Sequence, residues 1–258
     1  MDNYNWLKEV PIAHRGYYNE QYEENSLEAF NNALEHGFNI ELDLQLTKDL
    51  EIIVLHDLNI KRMTGIDKLA SEINYDELKT YKLKNSNCYI PKFSEVLNLI
   101  NGKVNLVIEL KSINKKLNKI LVQKTIETLK TYKGKYVLQS FNPFIMKEVR
   151  RIDKQIVRGQ LVEEHYKNMP KIFSFCLSRM VTNIFSKPQY LNTDIHFTNH
   201  VIKSYLRKGK MVISYTAKNE EDYQKYLKIY DNVIFEKFDP SKIFGEQIIF
   251  QSKKNMIL

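Results

Sequence analysis

A few charged residues interrupt runs that are otherwise apolar. Glu41 and Asp43 break "NIELDLQL", and Glu109 and Lys111 break "NLVIELK". His14-Arg15-Gly16 follows the apolar "VPIA", and His56 ends "EIIVLH". Carboxylates brought close together repel unless one is protonated or a cation bridges them. A hard divalent ion with oxygen ligands, Mg²⁺ or Ca²⁺, is the natural bridge for Glu41, Asp43 and Glu109. Two histidines supply one proton donor and one proton acceptor near neutral pH. Arg15 offers a two-pronged fork to an anion and Lys111 a point charge. Together they describe metal-assisted acid–base chemistry on an anionic substrate group. Singly, each residue is commonplace: a Glu-x-Asp pair is usually a solvated strand face, a lone histidine is usually structural, and Glu109 and Lys111 could simply pair. The conjunction carries the reading, because every one of these outliers falls at a predicted strand end.

Short apolar runs recur at 10–14, 39–47, 52–56, 104–111, 136–141, 156–161, 189–193, 211–216 and 232–236. Segments with helical spacing lie between most of them, such as "NSLEAFNNALEHG", "KFSEVLNLIN", "KILVQKTIETLKTY", "PFIMKEVRRID" and "NEEDYQKYLKIY". Unbroken strand–helix alternation predicts a parallel sheet, and eight such units predict a closed α/β architecture, a TIM (β/α)8 barrel. The ninth run is accounted for by a hairpin. Ile40, Leu42, Leu44 and Leu46 alternate with Glu41, Asp43, Gln45 and Thr47, "TKD" offers turn chemistry, and "IIVLHD" returns as an accessory strand. A turn at Lys48-Asp49 would set His56 opposite Glu41. Active sites of such barrels sit at the C-terminal ends of the strands, where these residues fall. Residues 57–91 are less regular and read as a small insertion after the second barrel strand. "YKNMPKIFSFCLSRM" reads as a helix packed on the barrel in preference to a membrane-facing one. No Pro/Gly/Ser-rich linker divides the chain, so residues 1–258 read as one domain.

The chain has 258 residues, 43% of them apolar, a net charge of +8 and a pI of about 9.1. That balance favours anionic partners, but the basic residues are scattered, which argues against nucleic acid. Cys88 and Cys176 are far apart, lack metal-ligand spacing and read as buried free thiols. No signal peptide and no membrane-spanning run is evident. A soluble, cytoplasmic protein is expected; peripheral contact with a membrane stays open, as does the oligomeric state.

The set His14-Arg15-Gly16, Glu24-Asn25-Ser26, Glu41-x-Asp43, Thr47-Lys48-Asp49, His56-Asp57, Arg62-x-Thr64-Gly65, Pro91-x-x-x-Glu95, Glu109-x-Lys111 and Ser140-Phe141 resembles the glycerophosphodiester phosphodiesterase family. The match is specific over most of the N-terminal half and weaker beyond Gly159-x-Leu161. It implies a TIM barrel that uses a divalent metal to hydrolyse glycerophosphodiesters to glycerol 3-phosphate and an alcohol. It implies Glu41, Asp43 and Glu109 as metal ligands, His14 and His56 as the acid–base pair, Arg15 and Lys111 at the phosphate and Phe141 near the glycerol. Five positions depart from the family pattern: Ser26 stands for threonine, Leu50 for a turn glycine, Tyr215 for tryptophan before Thr216, and Phe235-Glu236 for Thr-Asp on the closing strand. Tyr215 is accordingly expected on the pocket wall, where it bears on substrate fit. The enzymatic alternative is a lysophospholipase D or sphingomyelinase D-like enzyme, for which "KIFSFCLSRM" would supply the apolar groove. A non-catalytic phosphodiester-binding barrel has no need of two histidines, and a zinc amidohydrolase would want His-x-His on the first strand.

Overall fold

The computed structural model describes residues 4–84, 86–164 and 171–245. The strands are β1 Ile12–Ala13, β2 Asn39–Leu46, β3 Ile52–Val54, β4 Leu106–Leu110, β5 Tyr136–Ser140, β6 Arg158–Val162, β7 Tyr190–Asp194, β8 Val212–Ala217 and β9 Asn232–Phe235. All except β3 are parallel, and β1 pairs with both β2 and β9, which closes an eight-stranded barrel. β3 lies antiparallel on β2 outside the ring. The helices are α1 Leu27–Glu35, α2 Lys61–Thr64, α3 Tyr75–Leu78, α4 Phe93–Ile100, α5 Lys115–Leu129, α6 Pro143–Ile152, α7 Lys171–Ser178, α8 Asn183–Ser186, α9 His200–Arg207 and α10 Glu220–Leu227. No helix among the described residues is long and apolar enough to cross a membrane.

The period-2 alternation of the strands builds the molecule in two directions. Outward-facing Ile40, Leu42, Leu44 and Leu46 are fully buried against α1, α4 and α5, together with Phe30, Phe93 and Leu121. The inward-facing residues form two layers. The lower layer is apolar except for Glu41, which is level with Val107: Ile12, Val107, Val137, Tyr190, Ile213 and Ile234, closed from beneath by Trp6 and Leu7. Two residues further along the same strands come His14, Glu109, Gln139, Asn192, Tyr215 and Glu236, all lining a single cavity. The barrel is thus plugged below and polar above, and the polar layer is the floor of the site. Asn232 secures the plug: its Nδ2 donates to the carbonyls of Leu7 at 2.6 Å and Val10 at 2.9 Å.

The hairpin differs from expectation by one residue. Leu44 pairs with Val54, Gln45 with Ile53 and Leu46 with Ile52. The turn is a three-residue loop, Lys48-Asp49-Leu50, closed by Thr47 N–H to the Glu51 carbonyl at 3.1 Å, with Leu50 at φ +65°. Such loops need a left-handed third residue, so Leu50 adopts a conformation better suited to glycine. His56 therefore does not face Glu41 across the ladder. It stands beyond the last pair, in a loop held by Gln45, whose Nε2 donates to the Leu55 and Asp57 carbonyls, each at 2.8 Å.

Residues 57–91 lie between β3 and α4 and bury a small core, including Ile60, Met63, Ile73 and Leu78, against Ile53 and Leu55. Two contacts fasten this segment to the hairpin loop: Lys48 N–H to the Ile73 carbonyl at 2.9 Å and Tyr75 N–H to Asp49 Oδ1 at 3.0 Å. Cys88 is a buried free thiol as expected, but Cys176 is only half-buried, because α7 turns part of its apolar surface outward.

Candidate active site

Register alone assembles the carboxylates. Glu41 and Asp43 are two apart on β2, hence on the same inner face, and Asp43 sits directly opposite Glu109 on β4. One oxygen from each of Glu41, Asp43 and Glu109 lies within 4.8 Å of the others, and all three residues are buried. Burial and the neighbouring carboxylates push Glu41 well above the usual range, and burial raises Glu109 despite Lys111. Burial also opposes ionisation of Asp43, but Lys111, His56 and Arg15 together hold it low. Lys111 Nζ stands 2.8 Å from Glu109 Oε1 and 3.4 Å from Asp43 Oδ1. The cluster is therefore not left unbalanced, as the acidic residues alone would imply. An oxygen-only donor set of this size suits a hard divalent ion. Beside it, Asn25 donates to Asp43 Oδ2 at 3.0 Å, while its own Oδ1 is buried without a partner among the described residues.

The loop after β1 presents His14 and Arg15. Arg15 has φ +56° and Gly16 φ +79°. A Cβ on Gly16 would come within 2.9 Å of the Ala29 backbone, so the loop closes tightly onto α1. Ser26 caps that helix by accepting from Ala29 N–H at 3.1 Å. His14 Nδ1 lies 2.9 Å from Glu236 Oε2, which also accepts from the Tyr18 hydroxyl at 2.7 Å. Burial lowers His14 below the ordinary histidine value although the Glu236 bond opposes it. Glu236 is itself held down to about 2, because the bonds from His14 and Tyr18 outweigh its burial.

Across the mouth, His56 Nδ1 lies 2.6 Å from Asp57 Oδ1. The bond from His56, then the Arg62 guanidinium, keep Asp57 well below the usual carboxylate range. Arg62 also grips both oxygens of Glu24, at 2.7 and 2.9 Å. Glu24 in turn accepts from Arg15 Nη1 at 2.7 Å. Arg15 is thus half engaged: its backbone N–H donates to Glu41 Oε2 at 3.1 Å and its Nε lies 3.5 Å from Asp43. The two-pronged grip expected of it goes in part to Glu24.

His14, Arg15, Glu41, His56, Glu109, Lys111, Phe141 and Tyr215 all line one cavity of about 900 Å³, with Asp43 buried against it. Phe141 and Tyr215 meet edge to face at 6.1 Å, and the Tyr215 hydroxyl donates to the Val162 carbonyl at 3.2 Å. The structure therefore brings the histidines, the three carboxylates, Arg15, Lys111, Phe141 and Tyr215 to one place. The partners Glu236, Tyr18, Asp57 and Arg62 had no assigned role there. Asp57 and Arg62 were visible within the motif set, whereas the pairing of His14 with a residue 222 positions away is set only by barrel closure.

A barrel with this acidic floor and flanking histidines belongs to a recognisable class. A sequence model of the Glycerophosphoryl diester phosphodiesterase family matches residues 14–236, and the chain belongs to that family. It is similar to a glycerophosphodiester phosphodiesterase of Caldanaerobacter subterraneus subsp. tengcongensis, with 27% identity over 236 residues covering 86% of this chain and 91% of the relative. A lysophospholipase D of Rattus norvegicus is 32% identical over 140 residues, covering 49% of this chain and 42% of the relative. The solved structure of a Thermotoga maritima glycerophosphodiester phosphodiesterase superimposes with a TM-score of 0.68 at 28% identity, covering 88% of this chain and 93% of that one.

Proposed function

We propose that the protein hydrolyses glycerophosphodiesters to glycerol 3-phosphate and an alcohol, with a divalent cation, Mg²⁺ or Ca²⁺, held by Glu41, Asp43 and Glu109. The observation that carries this reading is the pair of histidines, each seated on its own carboxylate, on either side of a buried three-carboxylate cluster in one cavity. A bound cation supplies charge neutralisation at the phosphodiester. Lys111 and the free edge of the Arg15 guanidinium hold the phosphate oxygens, and Phe141 and Tyr215 shape the wall against the glycerol. His14 is the base. Burial keeps it neutral at pH 7, and donation from Nδ1 to Glu236 leaves Nε2 to take the proton of the attacking oxygen. His56, donating from Nδ1 to a carboxylate that stays ionised, delivers a proton from Nε2 to the leaving alkoxide. One barrel spanning the described residues suffices for this chemistry, and the two free thiols accord with a cytoplasmic setting.

The test is release of glycerol 3-phosphate, coupled to its dehydrogenase, from glycerophosphocholine, glycerophosphoethanolamine and glycerophosphoglycerol, with and without EDTA. Turnover that EDTA stops and Mg²⁺ or Ca²⁺ restores is expected. No release from any of the three, with metal present, would overturn the reading.

A further inference from the structure

The flank of the barrel carries a surface that the hydrolytic chemistry does not use. Phe144 on α6, Phe175 on α7, Val181 in the turn that follows, and Ile184 and Phe185 on α8 are 60%, 53%, 54%, 67% and 43% exposed. They belong to neighbouring elements. α6 and α8 pack side by side, the Phe144 and Phe185 rings stack at 6.3 Å, and Arg150 Nη1 reaches the Phe185 carbonyl at 3.5 Å. Met180 and Ser186 are buried beneath the turn and α8, so their neighbours are held outward by packing. Exposed large apolar side chains scattered singly are ordinary; several on adjoining elements mark an interaction surface.

Charge identifies the partner. Across residues 143–154 and 174–187 there are six basic residues and two acidic ones. Lys147 Nζ lies over the Phe185 ring at 5.5 Å, and the Arg179 guanidinium lies over Phe175 at 4.8 Å. The cations thus sit beside the same rings that point into solvent. Aromatic and branched aliphatic tips among lysine and arginine match an interface whose phosphates lie above its acyl chains. Val181 and Ile184 have no π-face to offer a nucleic-acid base, which tells against that other anionic partner.

We infer that this α6–α8 surface docks on an anionic lipid bilayer. The inference is independent of the hydrolytic assignment, since none of these residues belongs to the site.

Co-flotation with vesicles tests it. The full chain is mixed with phosphatidylcholine vesicles, alone or with a quarter phosphatidylglycerol, and with soluble glycerophosphodiester as a separate activity control. The protein is expected to float with the anionic vesicles and to be released by high salt. Phe144→Ser/Ile184→Ser should cut the bound fraction by about tenfold or more. Lys147→Glu/Arg179→Glu should remove the preference for anionic over neutral vesicles by a similar factor, about tenfold. Both variants should keep their circular dichroism spectra and wild-type kcat/KM on the soluble substrate. Wild-type protein that stays with the soluble fraction on both vesicles would overturn the inference. So would a self-association in sedimentation experiments that Phe144→Ser/Ile184→Ser abolishes, because the surface would then join two copies of this chain.

Discussion

His14 and His56 each have one ring nitrogen fixed by a carboxylate, so each presents the other to the cavity with a defined tautomer. Acid–base groups of this kind contribute about 10²–10⁴-fold each. His14→Ala and His56→Ala should therefore each lower kcat by at least about a hundredfold in folded protein, as measured by glycerol 3-phosphate release. Glu236 makes a sharper test, because it acts through His14. Its bond and charge raise the His14 pKa against burial. Glu236→Gln removes that support, so the acidic limb of kcat/KM, which reports the free base, should move to lower pH while kcat falls roughly tenfold or more. A reduced rate with an unmoved limb would make Glu236 merely structural. Stability carries the matching sign. Glu236 titrates near 2 in the folded chain against an ordinary 4.5. Its contribution is complete above that ordinary value and disappears as pH falls through the folded one. The melting-temperature gap between wild type and Glu236→Gln should be constant above about pH 5 and close toward pH 2.

At the scale of elements, the turn after β1 tolerates little change. Gly16 combines φ +79° with a backbone neighbour 2.9 Å from where a Cβ would stand. Gly16→Ala should cost about 1–3 kcal/mol in urea unfolding and lower kcat as well, because His14 and Arg15 would shift with the loop. The strands were legible in the sequence for a physical reason: inward and outward positions alternate, and on β2 and β4 the acidic residues fall on the inner face. The β2 run and Glu109 thus announced both the barrel and its acidic floor. Other features could not be read locally. Leu50 occupies a left-handed position that its side chain does not advertise, and so the hairpin slipped by one residue from the expected pairing. α9 carries Val201, Ile202, Tyr205 and Leu206 at helical spacing, but over only eight residues. The seat of His14 on Glu236 requires the first and last strands to meet, and the division of Arg15 between Glu24 and Asp43 requires a loop to fold back.

For the whole molecule, the cavity floor makes stability a function of cation concentration. Binding to the folded state alone stabilises by RT ln(1 + [L]/Kd), about 2.7 kcal/mol at a hundred times Kd. For a chain of this size that corresponds to roughly 5–10 °C in melting temperature. Scanning calorimetry should show this rise with Mg²⁺ or Ca²⁺ and its loss with EDTA. Glu109→Gln should abolish turnover and shrink the rise. Its metal-free melting temperature should stay within a few degrees of wild type, since Lys111 already balances the floor and a glutamine oxygen can still accept from it. A melting temperature indifferent to all three additions, with activity surviving EDTA, would remove the cation from the mechanism.

The run of ion pairs from His56 through Asp57, Arg62 and Glu24 to Arg15 joins the two loops that carry the histidines. Glu24 is buried, and either guanidinium lost would leave its carboxylate under-compensated. Losses at these positions should therefore not add. Arg62→Ala with Glu24→Gln should cost less than the two changes measured separately, with a coupling of about 0.5–3 kcal/mol in a double-mutant cycle. For the history of such a sequence this means epistasis: positions 24 and 62 can drift together but not one at a time, and an intermediate that changes only one must pass through a less active protein.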